Sequence, residues 1–454
     1  MAKFPRFLTL PVAAVMLVAA CSGGATPVPS AGGASTPPAS TGTGGSTAPG
    51  GSAGGSAVAG GTINVTSLWG GSEQEAFQKV LDGFQAATGI TAKYESIRTD
   101  YATVLQTRIS GGNPPDVSIL PGIGFLRHFA KDGSIKKISD LGIDAASLEA
   151  NYAPGLLDVG KVGTDLYAIP VKYNSKSTLW YRPDTFKTAN VTAPKTWDEF
   201  KTALQTLKGK GEAPLGLGTG PDTWTLTDWF ESIYIRQAGP DKYDQLFSGK
   251  LAWSDASVTT AVNTMKEVLN DNFVNGGIKA ANGRAWVDGI GQVFGANAKG
   301  SVYYEGGFVG GIATGQVNKD LKIGETIDWT DFPSLTNTDK PVTIGGDVIA
   351  ALTTNPGVKE FIQYMTTKDA GEIWGKTGAV ISAVKSVDQS IYPTDLVKRE
   401  AAQVAGASAV RFDGSDLLPA GSPDLGAQLQ KAIAGENVDW ASFESQVKTA
   451  WGNE

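Results

Sequence analysis

The chain is 454 residues long, more than one typical domain of about 100–200 residues, so two domains or lobes are expected and a large core needs no staples. Its 58 Gly and 23 Pro make up about 18% of the chain against a usual figure of roughly 12%, which points to a low-complexity segment or a loop-rich fold. A single cysteine, Cys21, and a single histidine, His128, exclude an intramolecular disulfide, a zinc ribbon and a His-rich metal site, and a net charge of −7 argues against a nucleic-acid footprint.

Residues 1–20 carry Lys3 and Arg6 and then an uncharged run, too short for a membrane span of about 20 apolar residues, and read as a secretory signal peptide. The run ends Leu17-Val18-Ala19-Ala20-Cys21 and resembles the lipobox of bacterial lipoproteins. That resemblance implies cleavage before Cys21 and a diacylglycerol on its thiol; the alternative is an Ala-x-Ala-like cut that releases a soluble secreted protein. The stretch 22–60 holds Gly, Ala, Ser, Thr, Pro and two valines, with no charge and no aromatic ring, so it cannot bury enough apolar surface to offset ordering entropy. It is expected to be a flexible tether with a root-mean-square reach of roughly 35 Å.

From residue 61 strands and helices alternate. Thr62-Ile63-Asn64-Val65 alternates as a strand should, and Trp69-Gly70-Gly71 breaks it. Ser72-Glu73-Gln74-Glu75 has capping-box form, and Phe77, Val80, Leu81 and Phe84 follow at helical spacing until Gly89. The pattern predicts a strand over 90–97, a second helix on Tyr101, Val104, Leu105, Arg108 and Ile109, and a short buried strand over 117–120. This βαβαβ order predicts an open α/β sheet, whose ligands sit beyond the carboxyl ends of the strands, where Trp69-Gly70 and Pro121-Gly122 fall. The helix after Gly124 is expected to carry His128 as a surface or capping residue. Further helices are expected over 197–207, 258–269 and 358–365, strands over 300–304 and 342–350, and an aromatic segment runs over 224–234.

Several motifs in this body carry a wider resemblance: Trp69-Gly70-Gly71-Ser72-Glu73, Gly111-Gly112-Asn113-Pro114-Pro115-Asp116-Val117, Tyr167-Ala168-Ile169-Pro170 with Leu179-Trp180-Tyr181, Pro194-Lys195-Thr196-Trp197, Gly345-Gly346-Asp347 and Thr377-Gly378-Ala379-Val380. Their order over 61–454 is similar to that of the extracellular solute-binding proteins of ABC importers, in the carbohydrate group that includes maltose- and alpha-glucoside-binding members. The resemblance implies an α/β, two-lobed, periplasmic-binding-protein-like fold of type II, its lobes joined by crossover hinge segments with a ligand cleft between them. Mapped by motif, lobe one is 61–172 plus 343–385 and lobe two is 173–342 plus 386–454. It also implies an extracytoplasmic monomer anchored to the cell membrane through Cys21. Such a receptor captures a carbohydrate, an oligosaccharide of alpha-glucoside type, by cleft closure and delivers it to a membrane permease and its ATPase. Catalysis, cofactor, metal and nucleic acid are all expected to be absent.

A pyranose has apolar C–H faces and a rim of hydroxyls, so its cleft needs aromatic faces and charged acceptors. The candidates are the rings of Trp69, Trp224, Trp229 and Tyr304, the carboxylates of Glu73, Asp228, Glu305 and Asp347, the close-approach positions Gly70, Pro121, Gly122 and Gly346, and Lys172 with Lys176 on the first crossing. The run from Trp224 to Trp229 matches a segment that lines the cleft in the resembled family. Trp180, Trp197, Trp286, Trp329 and Trp451 are expected to be structural. Two alternatives stand beside this reading: the same receptor with a polyol, sugar phosphate or peptide ligand, and a secreted carbohydrate-active enzyme using Asp228 and Glu231 as acid and base. The run 371–377 imitates a phosphate-binding loop but has Ala370 where the first glycine must stand.

Overall fold

Alternation in the strand Thr62–Ser67 buries Ile63 and Val65, and the helix that follows lays its apolar stripe on the sheet they build. The computed structural model describes residues 61–453 apart from 153–155, 212, 222, 336–339 and 420; the signal peptide, Cys21 and the tether lie outside the described residues. Helix Ser72–Thr88 packs Phe77, Val80, Leu81 and Phe84 inward and ends at Gly89, whose φ of 75° suits a residue without Cβ. The capping box expected at Ser72 does not form. Gly71 is the cap residue, Ser72 lies one step inside the helix, and its hydroxyl accepts a bond from Gln316 Nε2 at 2.8 Å.

Strands Thr91–Ser96 and Val117–Leu120 pair in parallel with Thr62–Ser67, one on each side. The full larger sheet has seven strands, in the spatial order Ile381–Ser382, Ala168–Ser175, Val342–Ala351, Val117–Leu120, Thr62–Ser67, Thr91–Ser96, with Val410–Phe412 beside Val342–Ala351. Val342–Ala351 runs antiparallel to both Ala168–Ser175 and Val117–Leu120. A second sheet of four strands is ordered Asp328–Asp331, Thr178–Tyr181, Val302–Tyr304, Leu215–Gly216. Each sheet has its own core: Ile63, Phe77, Phe84, Ile349 and Trp374 on the first, and Leu226, Trp229, Phe230, Tyr234 and Tyr304 on the second. These are two α/β lobes joined by crossover segments.

Two boundaries differ from the motif mapping. The larger sheet keeps the chain to Ser175, so the first crossing is made by Lys176 and Ser177 before Thr178 opens the smaller sheet, not after residue 172. Val410–Phe412 also returns to the larger sheet although 386–454 was mapped to lobe two. The reason is an edge: Val117–Leu120 covers Val342–Ala351 only over residues 348–351, and Val410–Phe412 takes the uncovered backbone groups at 342–344. Helices Leu425–Ile433 and Trp440–Asn453 then pack Leu425, Leu429, Phe443 and Val447 into the second core.

Helix Asp395–Ala405 braces the crossing. Its buried Glu400 accepts from the Ser175 N–H at 2.8 Å, and Gly307 lies so close that an added Cβ would stand 2.0 Å from the carboxyl. Burial pushes Glu400 from 4.5 up to about 8, against the Ser175 hydrogen bond. A carboxyl whose folded pKa is raised contributes stability below its unfolded pKa and loses it as pH rises toward the folded value. Glu400→Gln is therefore expected to melt increasingly above the wild type as pH climbs from about 5 to about 8. A constant gap across that range in melting curves would show that Glu400 is not the titrating group.

Candidate functional site

The first crossing brings two lysines to the floor of the interlobe cleft. Lys172, on Ala168–Ser175, stands opposite Asp347 in the antiparallel register, and its Nζ lies 3.1 Å from Asp347 Oδ2 and 3.4 Å from Glu73 Oε1. The same ammonium sits 4.5 Å from the centre of the Trp69 ring. Burial alone would push Lys172 down, but Asp347 and Glu73 more than offset it and hold it charged. Glu73 reaches this position from the first turn of its helix, where an acid also complements the helix dipole.

Lys176 repeats the arrangement toward the second lobe. Its Nζ is 2.7 Å from Asp228 Oδ2 and 3.4 Å from Asp413 Oδ2, and it lies 4.8 Å above Trp224 and 5.7 Å from Phe308. Its pKa is raised well above normal because these carboxylates outweigh burial. Burial pushes Asp228 up to about 7, with Lys176 working against it, and drives Glu305 well above the carboxylate range, helped by the charge of Asp228. Asp413 stays below its ordinary value despite burial, because Lys176 and the Ser415 hydroxyl favour its anion. Asp228 Oδ1 and both Glu305 oxygens are buried with no hydrogen-bond donor among the described residues. One proton shared between these two carboxyls would cover two of the three oxygens and leave one acceptor unmet.

Above this floor is a cavity of about 230 Å³ walled by Gly122 and Phe125 from one lobe, by Trp224 and Thr227 from the other, and by Ser415 and Asp416 from the loop after Val410–Phe412. Trp224, half-buried, is set edge-on by Trp286 at 5.3 Å and Phe308 at 6.0 Å. A larger cavity of about 540 Å³ opens near Lys195, Arg236 and Lys340. Its buried cation, Arg236, is already held by the Ser232 and Pro341 carbonyl oxygens and the face of Phe332. The cleft, with unmet buried acceptors and a partly open indole, is the better candidate.

The expected site residues divide accordingly. Glu73, Lys172, Asp347, Asp228 and Glu305 gather at the floor, and Gly122 and Trp224 line the cavity. Gly346 lets the Lys172 carbonyl approach to 2.5 Å of where a Cβ would stand, and Gly70 lies under Arg98; both shape backbone. Pro121 precedes the cavity wall without being part of it. Trp69 is 2% exposed, enclosed by Phe77, Trp374 and Lys172, so unlike the half-buried Trp224 it has no surface left for a ligand. Trp229 is a correction: it is 1% exposed, wedged against Phe200, Tyr304 and Phe332 in the second core, and offers no platform. Tyr304 is likewise buried, its hydroxyl donating to the Lys176 carbonyl at 2.5 Å to hold the crossing.

Glu231 also has a different task from the acid or base weighed for it. Its carboxylate accepts from the N–H groups of Gly414 and Ser415 at 2.7 and 2.8 Å and from the Tyr243 hydroxyl at 2.7 Å, anchoring the loop that follows. That loop supplies Asp413, Ser415 and Asp416, none anticipated from the sequence; the acid-rich run Asp413-Gly414-Ser415-Asp416 was the one available signal. Among the described residues no group of His, Cys, Asp and Glu is placed to hold a metal ion.

A profile of the family described as bacterial extracellular solute-binding protein matches residues 70–372. The alpha-glucosides-binding periplasmic protein AglE of Rhizobium meliloti is 32% identical over 367 residues, 77% of this chain and 78% of that protein. The osmoprotective compounds-binding protein GgtB of Synechocystis sp. is 29% identical over 354 residues, 77% of this chain and 82% of that protein. Among solved structures, the solute receptor AcbH superposes with a TM-score of 0.75 at 17% identity, covering 87% of this chain and 99% of its own, and shares the fold.

Trp229→Ala removes a fully enclosed indole and is expected to lower the unfolding free energy by about 3–5 kcal/mol in urea titration. A loss under about 1 kcal/mol would show that the ring is not part of the core.

Proposed function

The chain belongs to the bacterial extracellular solute-binding protein family, whose members bind rather than transform their ligands, and on that premise we propose a lipid-anchored sugar receptor of an ABC importer. It captures a carbohydrate of alpha-glucoside type between its lobes and hands it to a membrane permease, with Cys21 as the anchor and 22–60 as the tether. The observation that carries this reading is the pairing of a half-buried indole, Trp224, with the carboxyls of Asp416 and Asp424 around one cavity. An indole face suits the C–H face of a pyranose, and charged carboxylates take hydrogen bonds from adjacent hydroxyls. Likeness to AglE supports the alpha-glucoside class.

A second reading, a smaller polyol, is supported by the cavity of about 230 Å³, below the roughly 300–1,000 Å³ of drug-sized sites, and is compatible with likeness to GgtB, which is named for binding osmoprotective compounds. A sugar phosphate is disfavoured, because the carboxylates around Lys176 already outnumber it.

Tryptophan fluorescence and melting temperature are the direct readouts, since a ligand that binds only the folded state stabilises it by mass action. Maltose, maltotriose, trehalose, sucrose and small polyols are expected to include at least one that shifts both. Stabilisation by peptides or polyamines alone would end the carbohydrate reading. Trp224→Ala is expected to weaken binding about tenfold or more, about 1.4 kcal/mol, with little change in melting temperature; unchanged affinity removes the platform role. Cys21→Ser is expected to release the protein from membranes without altering affinity.

A further inference from the structure

We infer that Asp416 is the carboxyl through which this cleft reads the hydroxyl donors of its ligand, and that it surrenders a proton when the ligand is captured. The inference rests on the polyhydroxy ligand class proposed above.

The loop that carries Asp416 is fixed by its main chain. Glu231 takes the Gly414 and Ser415 N–H groups, Asp413 Oδ1 takes the Ser415 hydroxyl at 2.7 Å and the Asp416 N–H at 3.3 Å, and the Thr227 hydroxyl meets that of Ser415 at 3.0 Å. From the opposite lobe, Arg127 donates to the Leu417 carbonyl at 2.6 Å. Among the described residues no hydrogen bond ties the Asp416 carboxyl to the loop, which is held instead through Asp413 and the Asp416 N–H. It borders the cavity with Trp224, and a Cβ added at Gly122 would come within 3.5 Å of its Oδ1. An acceptor at that place meets whatever occupies the cavity from either lobe.

Charge decides its state. Asp416 faces Asp413 on its own loop, Lys176 from the crossing, Asp228 from helix Trp224–Ala238 and Asp347 from strand Val342–Ala351. Asp424 also lines the cavity and is engaged by the Thr223 hydroxyl. Lys176 is committed to Asp228 and Asp413, and Arg127 to the Leu417 carbonyl. With burial and Asp413 against the anion, Asp416 is pushed well above the usual carboxylate range and keeps its proton in the empty cleft. Hydroxyl donors favour the charged form, because hydrogen bonds to a carboxylate are stronger than those to a neutral acid. A ligand presenting two hydroxyls to Asp416 replaces one covalent O–H with two hydrogen bonds, and the proton leaves to the solvent buffer. Affinity then rises with pH across the range in which the empty protein holds the proton.

Two measurements on the full chain test this. Calorimetric titration near pH 7 in phosphate and in Tris, with whichever of maltose, trehalose, sucrose or polyol binds, should give enthalpies that differ in the direction of proton release. In Asp416→Asn the difference should vanish and the affinity should become independent of pH. Equal enthalpies in the wild type, or an unchanged difference in Asp416→Asn, overturn the inference. Without ligand, the variant should melt increasingly above the wild type as pH rises above the ordinary carboxylate range, since the wild-type acid must ionise beside Asp413. Parallel melting curves place the proton elsewhere and also overturn it. If none of these compounds binds, the proposed ligand class falls, and the melting curves still decide whether Asp416 holds the proton.

Discussion

Lys172 and Lys176 stand four residues apart where the chain leaves the larger sheet for the smaller, and each gathers two carboxylates around a buried ammonium. One ties the crossing to Glu73 and Asp347, the other to Asp228 and Asp413. Removing one partner from such a buried pair typically costs about 3–5 kcal/mol, because the remaining charge is left without water or counter-ion. The floor of the cleft is thus its most strongly determined part. The cavity walls take their positions from it: Trp224 lies under Lys176, and Asp413 begins the loop that reaches Asp416.

The same pairs explain the chemical bias of the cleft. Glu305 and Asp416 join the four paired acids around only two ammonium groups, so burial and Coulomb repulsion together require some carboxyls to stay neutral. An acceptor-rich, partly protonated surface welcomes hydroxyl donors and repels anions. It also explains why Asp228 and Glu231, three residues apart on one helix, do different work. Asp228 faces the ammonium, while Glu231 spends both oxygens on main-chain N–H groups.

Local pattern carried most of the architecture. Helix Ser72–Thr88 and strands Thr62–Ser67 and Val117–Leu120 follow directly from spacing and from Gly89. Pattern failed on helix Trp224–Ala238, which is buried continuously from Thr225 to Arg236 and so has no polar face to mark which aromatic looks into the cleft. Trp224 and Trp229 are five residues apart, about 140° around a helix, so they could not both face one ligand. The loop 413–416 was harder still. Its partners Glu231, Lys176 and Thr227 lie nearly two hundred residues or more away in sequence, and no local periodicity encodes such contacts.

The bond between Ser72 and Gln316 joins the rim of one lobe, at its first helix, to the segment Ala313–Val317 of the other. A neutral hydrogen bond contributes only about 0.5–1.5 kcal/mol net, whereas the buried ion pair Lys172–Glu73 lies within one lobe and Lys176–Asp228 ties the crossing to helix Trp224–Ala238. The molecule is therefore built as a stiff base with a weak clasp. Opening at this rim costs far less than displacing either lysine from its carboxylates.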